Sequence, residues 1–329
     1  MKAGKLPESV LKRSVLNQLH MMTDAQSVRP AVGADFGAVC LESGETVVTA
    51  VETRLLGCGV LKGASLYAAL NNLACSGARF LGVTVNLLMP TAANEQQLRE
   101  CVQEIDEICM REQVPVLAGH TEVVRSLTEP VLTVTAVGVR GQVPVTNSQI
   151  KPGMDILVTK WIALEGTAIL AAAQEAELQK RFAQPFIDRA KEFSGCLSIL
   201  PEAAVAVQSG AAALHDISEG GIYGALWEMG QCSGVGLTID LKKIPVRQET
   251  IEICEYFDLN PYKLLSGGSL LAAAADGNGV VRKLEQAGIS AVIIGKATDR
   301  NDRVLVNGEE CRYLETAQTD ELWKMKHGM

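Results

Sequence analysis

The chain has 329 residues, 47% of them hydrophobic, 21% charged and only 4% aromatic, with a formal net charge of −8. That length is too great for one comfortable core and predicts two globular domains of ordinary size. The acidic balance, without a basic cluster, argues against a nucleic-acid partner, and no apolar run reaches the roughly 18–20 residues that a membrane span requires.

Residues 6–22 predict a helix. Pro7 suits a first turn, Glu8 favours the positive helix end, and Val10, Leu11, Val15, Leu16 and Leu19 make one apolar stripe. Two short β-prone runs, Ala38–Leu41 and Thr46–Val51, flank the Ser43–Gly44 turn and predict a hairpin. Residues 54–65 contain Gly57, Gly59 and Gly63 and read as a flexible loop. Lys62 invites a phosphate-loop reading there, but no Gly-Lys-Ser/Thr follows, which excludes a Walker A loop and leaves a lid or a plain connection.

The next stretch, 65–90, organises the first half of the chain. Leu66, Ala69, Leu70 and Leu73 form a helical stripe, Gly77 offers a left-handed stop, and Phe80–Leu88 is the near-continuous apolar run of a strand buried on both faces. Asn71 and Asn72 stand out as polar residues on that apolar helix. Residues 94–112 predict an amphipathic helix capped by Asn94. A short strand at 114–119 runs into Gly119-His120-Thr121-Glu122, and a longer strand covers 131–141.

The polar segment 147–155, with Pro152 and Gly153, is the candidate boundary, dividing the chain into domains 1–150 and 151–329. The second domain is predicted to open with a strand at 155–160 and a helix at 166–182. A helix at 200–213 follows, then a turn at 215 leading into a helix that ends near 230. Ser266–Ser269 makes a tight turn into the apolar run ending at 274, and a helix at 279–287 precedes strands at 289–298 and 303–311. Nine scattered cysteines, none in C-x-x-C spacing, predict reduced thiols in a cytoplasmic protein, with Cys40, Cys75 and Cys232 as small core residues.

Several segments then carry a resemblance: GKLPESVLKRSVL (4–16), GADFGAV (33–39), LNNLACSGAR (70–79), AGHTEVV (118–124), and the pair VTKWIALEGTAIL (158–170) and HDISEGGI (215–222). In this order the set resembles the AIR synthase (PurM-like) superfamily of ATP-using proteins, nearest its AIR synthase-related, HypE-like subgroup. The resemblance implies an α/β (α+β) fold of two domains. The N-terminal sheet would join that of a second copy in a dimeric barrel, with the C-terminal α/β domain packed outside. It also implies an ATP site in the cleft between domains, drawing residues from both subunits of a homodimer, with Mg²⁺ to offset the phosphate charge.

Carried over residue by residue, the resemblance keeps Asp35 as a metal ligand. It finds Val51 where an aspartate is expected, and Glu52 beside it faces the other way on a strand. Asn72 stands in place of a second aspartate, so two of three expected charges are missing. His120, facing the cleft, would move a proton, and Glu122 would add a catalytic or metal-binding carboxylate; a simple turn hydrogen bond is the plainer use of His120. Lys5, Asn71, Asn72, Gly119, Thr121, Asp216, Ser218, Gly220 and Gly221 are the candidate nucleotide contacts, though a solvated side chain is the plainer reading of Lys5. In HDISEGG, backbone N–H groups at a helix start attract phosphate, while Asp216 and Ser218 suit capping equally well. The Gly220–Gly221 pair exceeds what a cap needs. HypE-type proteins carry a tail cysteine that has no counterpart beyond Cys311, so HypE-type cyanation is not expected. The competing expectation is a non-catalytic scaffold or ligand sensor with a degenerate metal site.

Overall fold

The computed structural model describes residues 5–19, 28–56, 63–141, 144–316 and 319–325. The loop carrying Gly57, Gly59 and Lys62 therefore lies outside the described residues, as does Cys58. The chain begins with α1 (Glu8–Ser14), followed by a short 3-10 turn at 16–18. This is less helix than the 6–22 stripe predicts, and none of its residues is buried. The stripe has no sheet beneath it, and Val10 and Leu11 instead line a cleft.

The first sheet contains β1 (Gly37–Cys40), β2 (Thr46–Leu55), β3 (Arg79–Pro90), β4 (Val116–Val124) and β5 (Val131–Arg140), in the order β1-β2-β5-β3-β4. The predicted β1–β2 hairpin forms, and only β3 and β4 run parallel. Helix α2 (Ala64–Ala74) ends before Gly77 at φ +69°, the left-handed stop that the sequence offers. Helix α3 (Glu95–Glu112) starts in a full capping box between Asn94 and Gln97. Every residue of α2 except Asn72 is buried. Leu66, Leu70 and Leu73 are wholly enclosed, each stabilising the fold by about 1.5–3 kcal/mol relative to exposure.

The second sheet holds β6 (Asp155–Thr159), β7 (Ala213–Ile217), β8 (Gly236–Asp240), β9 (Ser269–Ala274), β10 (Ala291–Thr298), β11 (Arg303–Asn307) and β12 (Glu310–Tyr313), ordered β12-β11-β8-β10-β6-β9-β7. Between them run α4 (Leu164–Ala173), α5 (Glu175–Leu178), α6 (Gln184–Lys191), α7 (Leu200–Gln208), α8 (Gly221–Ser233), α9 (Gln248–Tyr256) and α10 (Gly277–Gln286). The predicted 166–182 helix breaks at Gln174. The predicted 200–213 helix stops at Gln208, and the residues read as a turn at 215 belong to strand β7. Helix α8 packs on one face of the sheet, against Ile156, Val158 and Ile217. Helices α7 and α10 cover the other, where Ala74 and Cys75 of the first domain join them.

Asn71 fastens the two halves together. Its side chain donates to Leu197 O at 2.9 Å and accepts from Ile199 N at 3.0 Å, both in the second half of the chain. This placement puts the C-terminal ends of α2 and β2 opposite β7 and α8. None of the eight described cysteines is disulfide-bonded; Cys75 is buried, whereas Cys40 and Cys232 are only half-buried. No helix among the described residues is long and apolar enough to cross a membrane.

Candidate functional site

A cleft of about 1100 Å³ opens between the two sheets. One wall comes from the segment at 31–35, from Val51 and Glu52 of β2 and from Asn72; the other from His215, Ser218, Trp227 and Glu228. The N-terminal segment from Lys5 to Leu11 and the 319–324 segment close its rim. Glu219 ties those two segments together, since its Oε1 accepts from Lys5 N and from Trp323 Nε1, both at 3.1 Å. Trp227 Nε1 donates to Glu8 at 3.0 Å and holds α1 in place.

At the floor of the cleft, His215 lies between two carboxylates. Its Nδ1 is 2.7 and 2.8 Å from the two oxygens of Asp35, and its Nε2 is 3.2 Å from Glu228. Burial alone would favour the neutral ring, but the two carboxylates outweigh it and hold His215 at about 10. His215 is thus an imidazolium donating from both nitrogens. Burial would likewise raise Glu228, yet Lys5 and His215 bring it down to about 2. Lys5 Nζ reaches Glu228 Oε1 at 3.2 Å, completing a chain of alternating charge from Asp35 to Lys5.

Behind this chain the balance is different. Asp216, on the same strand, is pushed up to about 8 by burial and by the charge of Asp35, so it is a protonated acid at neutral pH. It faces Asn71 and shares a small enclosed space with the Arg54–Glu165 ion pair. Glu52 is raised by burial, partly offset by Arg54, and its Oε1 accepts from Asn72 Nδ2 at 2.8 Å.

Of the predicted contacts, the structure brings Lys5, Asp35, Asn72 and Ser218 together in the cleft. Glu52, discounted on strand geometry, lines it as well. Val51 and Glu52 do point opposite ways, but Glu52 is the one turned toward α2 and Asn72, while Val51 is 62% exposed. Asn71 serves as the inter-domain fastener, and Asp216 sits behind the cleft rather than in it. Gly119, His120, Thr121 and Glu122 do not line the cleft of a single chain. The strand predicted to end at 119 continues to Val124, so these residues lie mid-strand on β4, at the exposed edge of the first sheet. His120 and Glu122 are more than half exposed and face each other at 3.5 Å.

The Gly220–Gly221 pair has a structural reason that the sequence hides. Gly221 has φ +62°, and a Cβ there would stand 2.6 Å from Tyr262 O and 2.9 Å from Leu264 O. The N–H of Gly220 is already taken by the carboxylate of Asp320, at 2.7 Å. Sequence reasoning missed both Glu228 and Asp320. Glu228 was findable as the lone charge on the apolar helix GIYGALWEMG; Asp320 carries no signal beyond that of an ordinary cap.

The donor set does not fit a resident Mg²⁺. Both oxygens of Asp35 face His215, Glu52 is held by the Asn72 amide, and Val51 is apolar. Among the described residues no group of three or more His, Cys, Asp or Glu side chains is placed to hold a metal ion.

Residues 38–140 match the family described as AIR synthase related protein, N-terminal domain, and residues 151–307 match its C-terminal domain. A putative hydrogenase expression/formation protein of Methanocaldococcus jannaschii is 24% identical over 317 residues, covering 92% of this chain and 91% of that protein. The carbamoyl dehydratase HypE of Cupriavidus necator is 26% identical over 260 residues, covering 76% and 72%. Among solved structures, a chain of the HypE–HypF complex superposes with a TM-score of 0.74 at 20% identity, over 87% of this chain and 94% of that one. HypE in complex with ATP gives 0.71 at 15% identity over 97% of each chain. At such identities the likeness shows a common two-domain, PurM-like fold.

Proposed function

The chain belongs to the AIR synthase related protein family, and on that premise we propose that it is a cytoplasmic, HypE-like protein that binds ATP in the cleft between its domains. The observation that carries this reading is the cleft itself: about 1100 Å³, walled by both domains, with polar groups from each converging on its floor. Leu6, Val10, Leu11 and Trp227 offer an apolar wall for a base, and Lys5, Lys263 and Lys324 are cations within reach of phosphates. Four cationic side chains face six acidic ones in the lining, which disfavours a bare polyphosphate and favours one whose charge is already offset by Mg²⁺.

The reaction class that suits this family is phosphoryl transfer to an oxygen of a carboxylate or amide acceptor. In this chain Lys5 would steady the phosphates, while Asn72 and Ser218 orient them by hydrogen bonds. His120 and Glu122, as proton-transfer and carboxylate groups, reach a cleft only from a second copy. The exposed β4 edge, with Val116, Leu117 and Val123 open to water, supports such a homodimer.

A second reading, a ligand sensor without chemistry, is favoured by the closed Asp35–His215–Glu228 pairing and by the missing charges at Val51 and Asn72. Calorimetric titration of ATP with Mg²⁺ and then with EDTA, followed by a phosphate-release assay, separates the two. Micromolar binding that needs Mg²⁺, with turnover, supports the enzyme. Binding without turnover supports the sensor, and no binding in either condition removes the nucleotide reading.

A further inference from the structure

Asp320 is 2% exposed, yet among the described residues it takes part in no ion pair. Its Oδ2 accepts from Gly220 N at 2.7 Å, and its Oδ1 accepts from Leu322 N at 2.9 Å and from Leu265 N at 3.2 Å. A buried carboxylate without a cation is tolerated only when such donors satisfy it. Two of the three donors come from separate parts of the fold, the start of α8 and the segment before β9, and converge on one point. That convergence of amides at a helix start suits any anion of similar size.

The segment that carries Asp320 is clamped along its length. Leu322 and Met325 pack against the apolar cluster that includes Ile253, Cys254, Leu259 and Leu264. Glu321 accepts from Asn260 N at 3.1 Å, and Trp323 Nε1 reaches Glu219. Asp320, Glu321, Trp323 and Lys324 all line the cleft. A displacement of the carboxylate would therefore move a piece of the cleft wall.

We propose that Asp320 is an internal competitor: its carboxylate occupies the amides of Gly220 and Leu265, and a phosphate group entering the cleft must displace it together with the 319–325 segment. The displacement is non-covalent, one anion for another on the same N–H groups. That the phosphate belongs to a nucleotide rests on the function proposed above; the self-occupied amides do not.

The test uses the full chain as wild type, Asp320→Asn and Leu322→Ser, titrated separately with inorganic pyrophosphate and with ADP or ATP. Asp320→Asn keeps the volume but removes the charge, and Leu322→Ser loosens the clamp while leaving the amides of Gly220 and Leu265 in place. Both variants should bind pyrophosphate roughly ten- to hundredfold more tightly than wild type, the range that one or two charge-assisted hydrogen bonds span. Saturating pyrophosphate should also red-shift tryptophan emission of the wild type, and Trp323→Phe should abolish that shift. Equal pyrophosphate affinity in all three proteins would overturn the proposal and leave Asp320 as a plain anchor of its segment. Tighter pyrophosphate binding in the variants, with no nucleotide bound by any protein, would uphold the competitor and remove the nucleotide reading instead.

Discussion

Asp35 and Glu228, on the floor of the cleft, are neutralised by side chains, His215 and Lys5, that come from both halves of the chain. At its rim, Asp320 is neutralised by backbone N–H groups alone. The difference is one of commitment. A side-chain ion pair is mutual, so removing either member leaves an uncompensated buried charge. A set of amides has no preference among anions that fit, so its occupant is exchangeable. The floor of the cleft is thereby a fastener between domains, and the rim is where exchange belongs.

The comparison breaks first, and most strongly, at His215. His215→Ala should cost about 3–5 kcal/mol of stability in urea unfolding, because Asp35 and Glu228 are left facing each other in a buried site. A loss below about 1 kcal/mol would mean that water relaxes the site and that the floor is no more committed than the rim. The pH dependence has a definite sign. His215 is raised from 6.5 to about 10, so its stabilisation is complete below the unfolded value and is lost as pH rises through 10.

A smaller effect is expected at Gly221. Gly221→Ala places a Cβ 2.6 Å from Tyr262 O at a positive φ, and should cost about 1–3 kcal/mol by thermal or urea unfolding. An unchanged stability would restore the view that the glycine pair serves a ligand rather than the close approach of two backbone segments.

At pH 5 the smallest effect is at Asp216, which separates charge from shape on the floor. Asp216 is raised from 3.8 to about 8, so the folded state keeps a proton that the unfolded chain releases, and stability falls between those values as pH rises. Asp216→Asn mimics the protonated acid and should stay within about 1 kcal/mol of wild type at pH 5. It should then gain on wild type at pH 7 and 9, because it lacks that slope. Parallel pH profiles for the two proteins would show Asp216 to be ionised.

What the sequence announced was local. Helix α2, its stop at Gly77 and the buried strand β3 are legible because a 3.6-residue stripe, a left-handed glycine and an unbroken apolar run are all contained in one stretch of 26 residues. Strand β7 was hidden because His215 and Asp216 look like turn residues. They can lie in a fully buried strand only because Asp35 and Asn71, both far away in the chain, receive them. Asn71 and Asn72 are adjacent and chemically identical, yet one fastens the domains and the other lines the cleft; helix rotation against two packed layers decides that. The ordered motifs were enough to place the family; Asp35, Ser218 and Lys5 line the cleft, with Asp35 paired to His215 rather than open to a metal. The exposed setting of His120 and Glu122 followed from strand β4 running on past Gly119, which no local signal forbids.

The Asp35–His215 pairing also sets a time. Its members are 180 residues apart in the chain, so at about 5–20 residues per second a ribosome needs roughly ten to forty seconds to make the second after the first. Through that interval Asp35 waits in water, and the first sheet can close without it once Arg140 has emerged. The floor of the cleft therefore cannot be complete until strand β7 has been made. A chain that has not yet reached His215, Ser218, Trp227 and Glu228 lacks the second wall of the cleft.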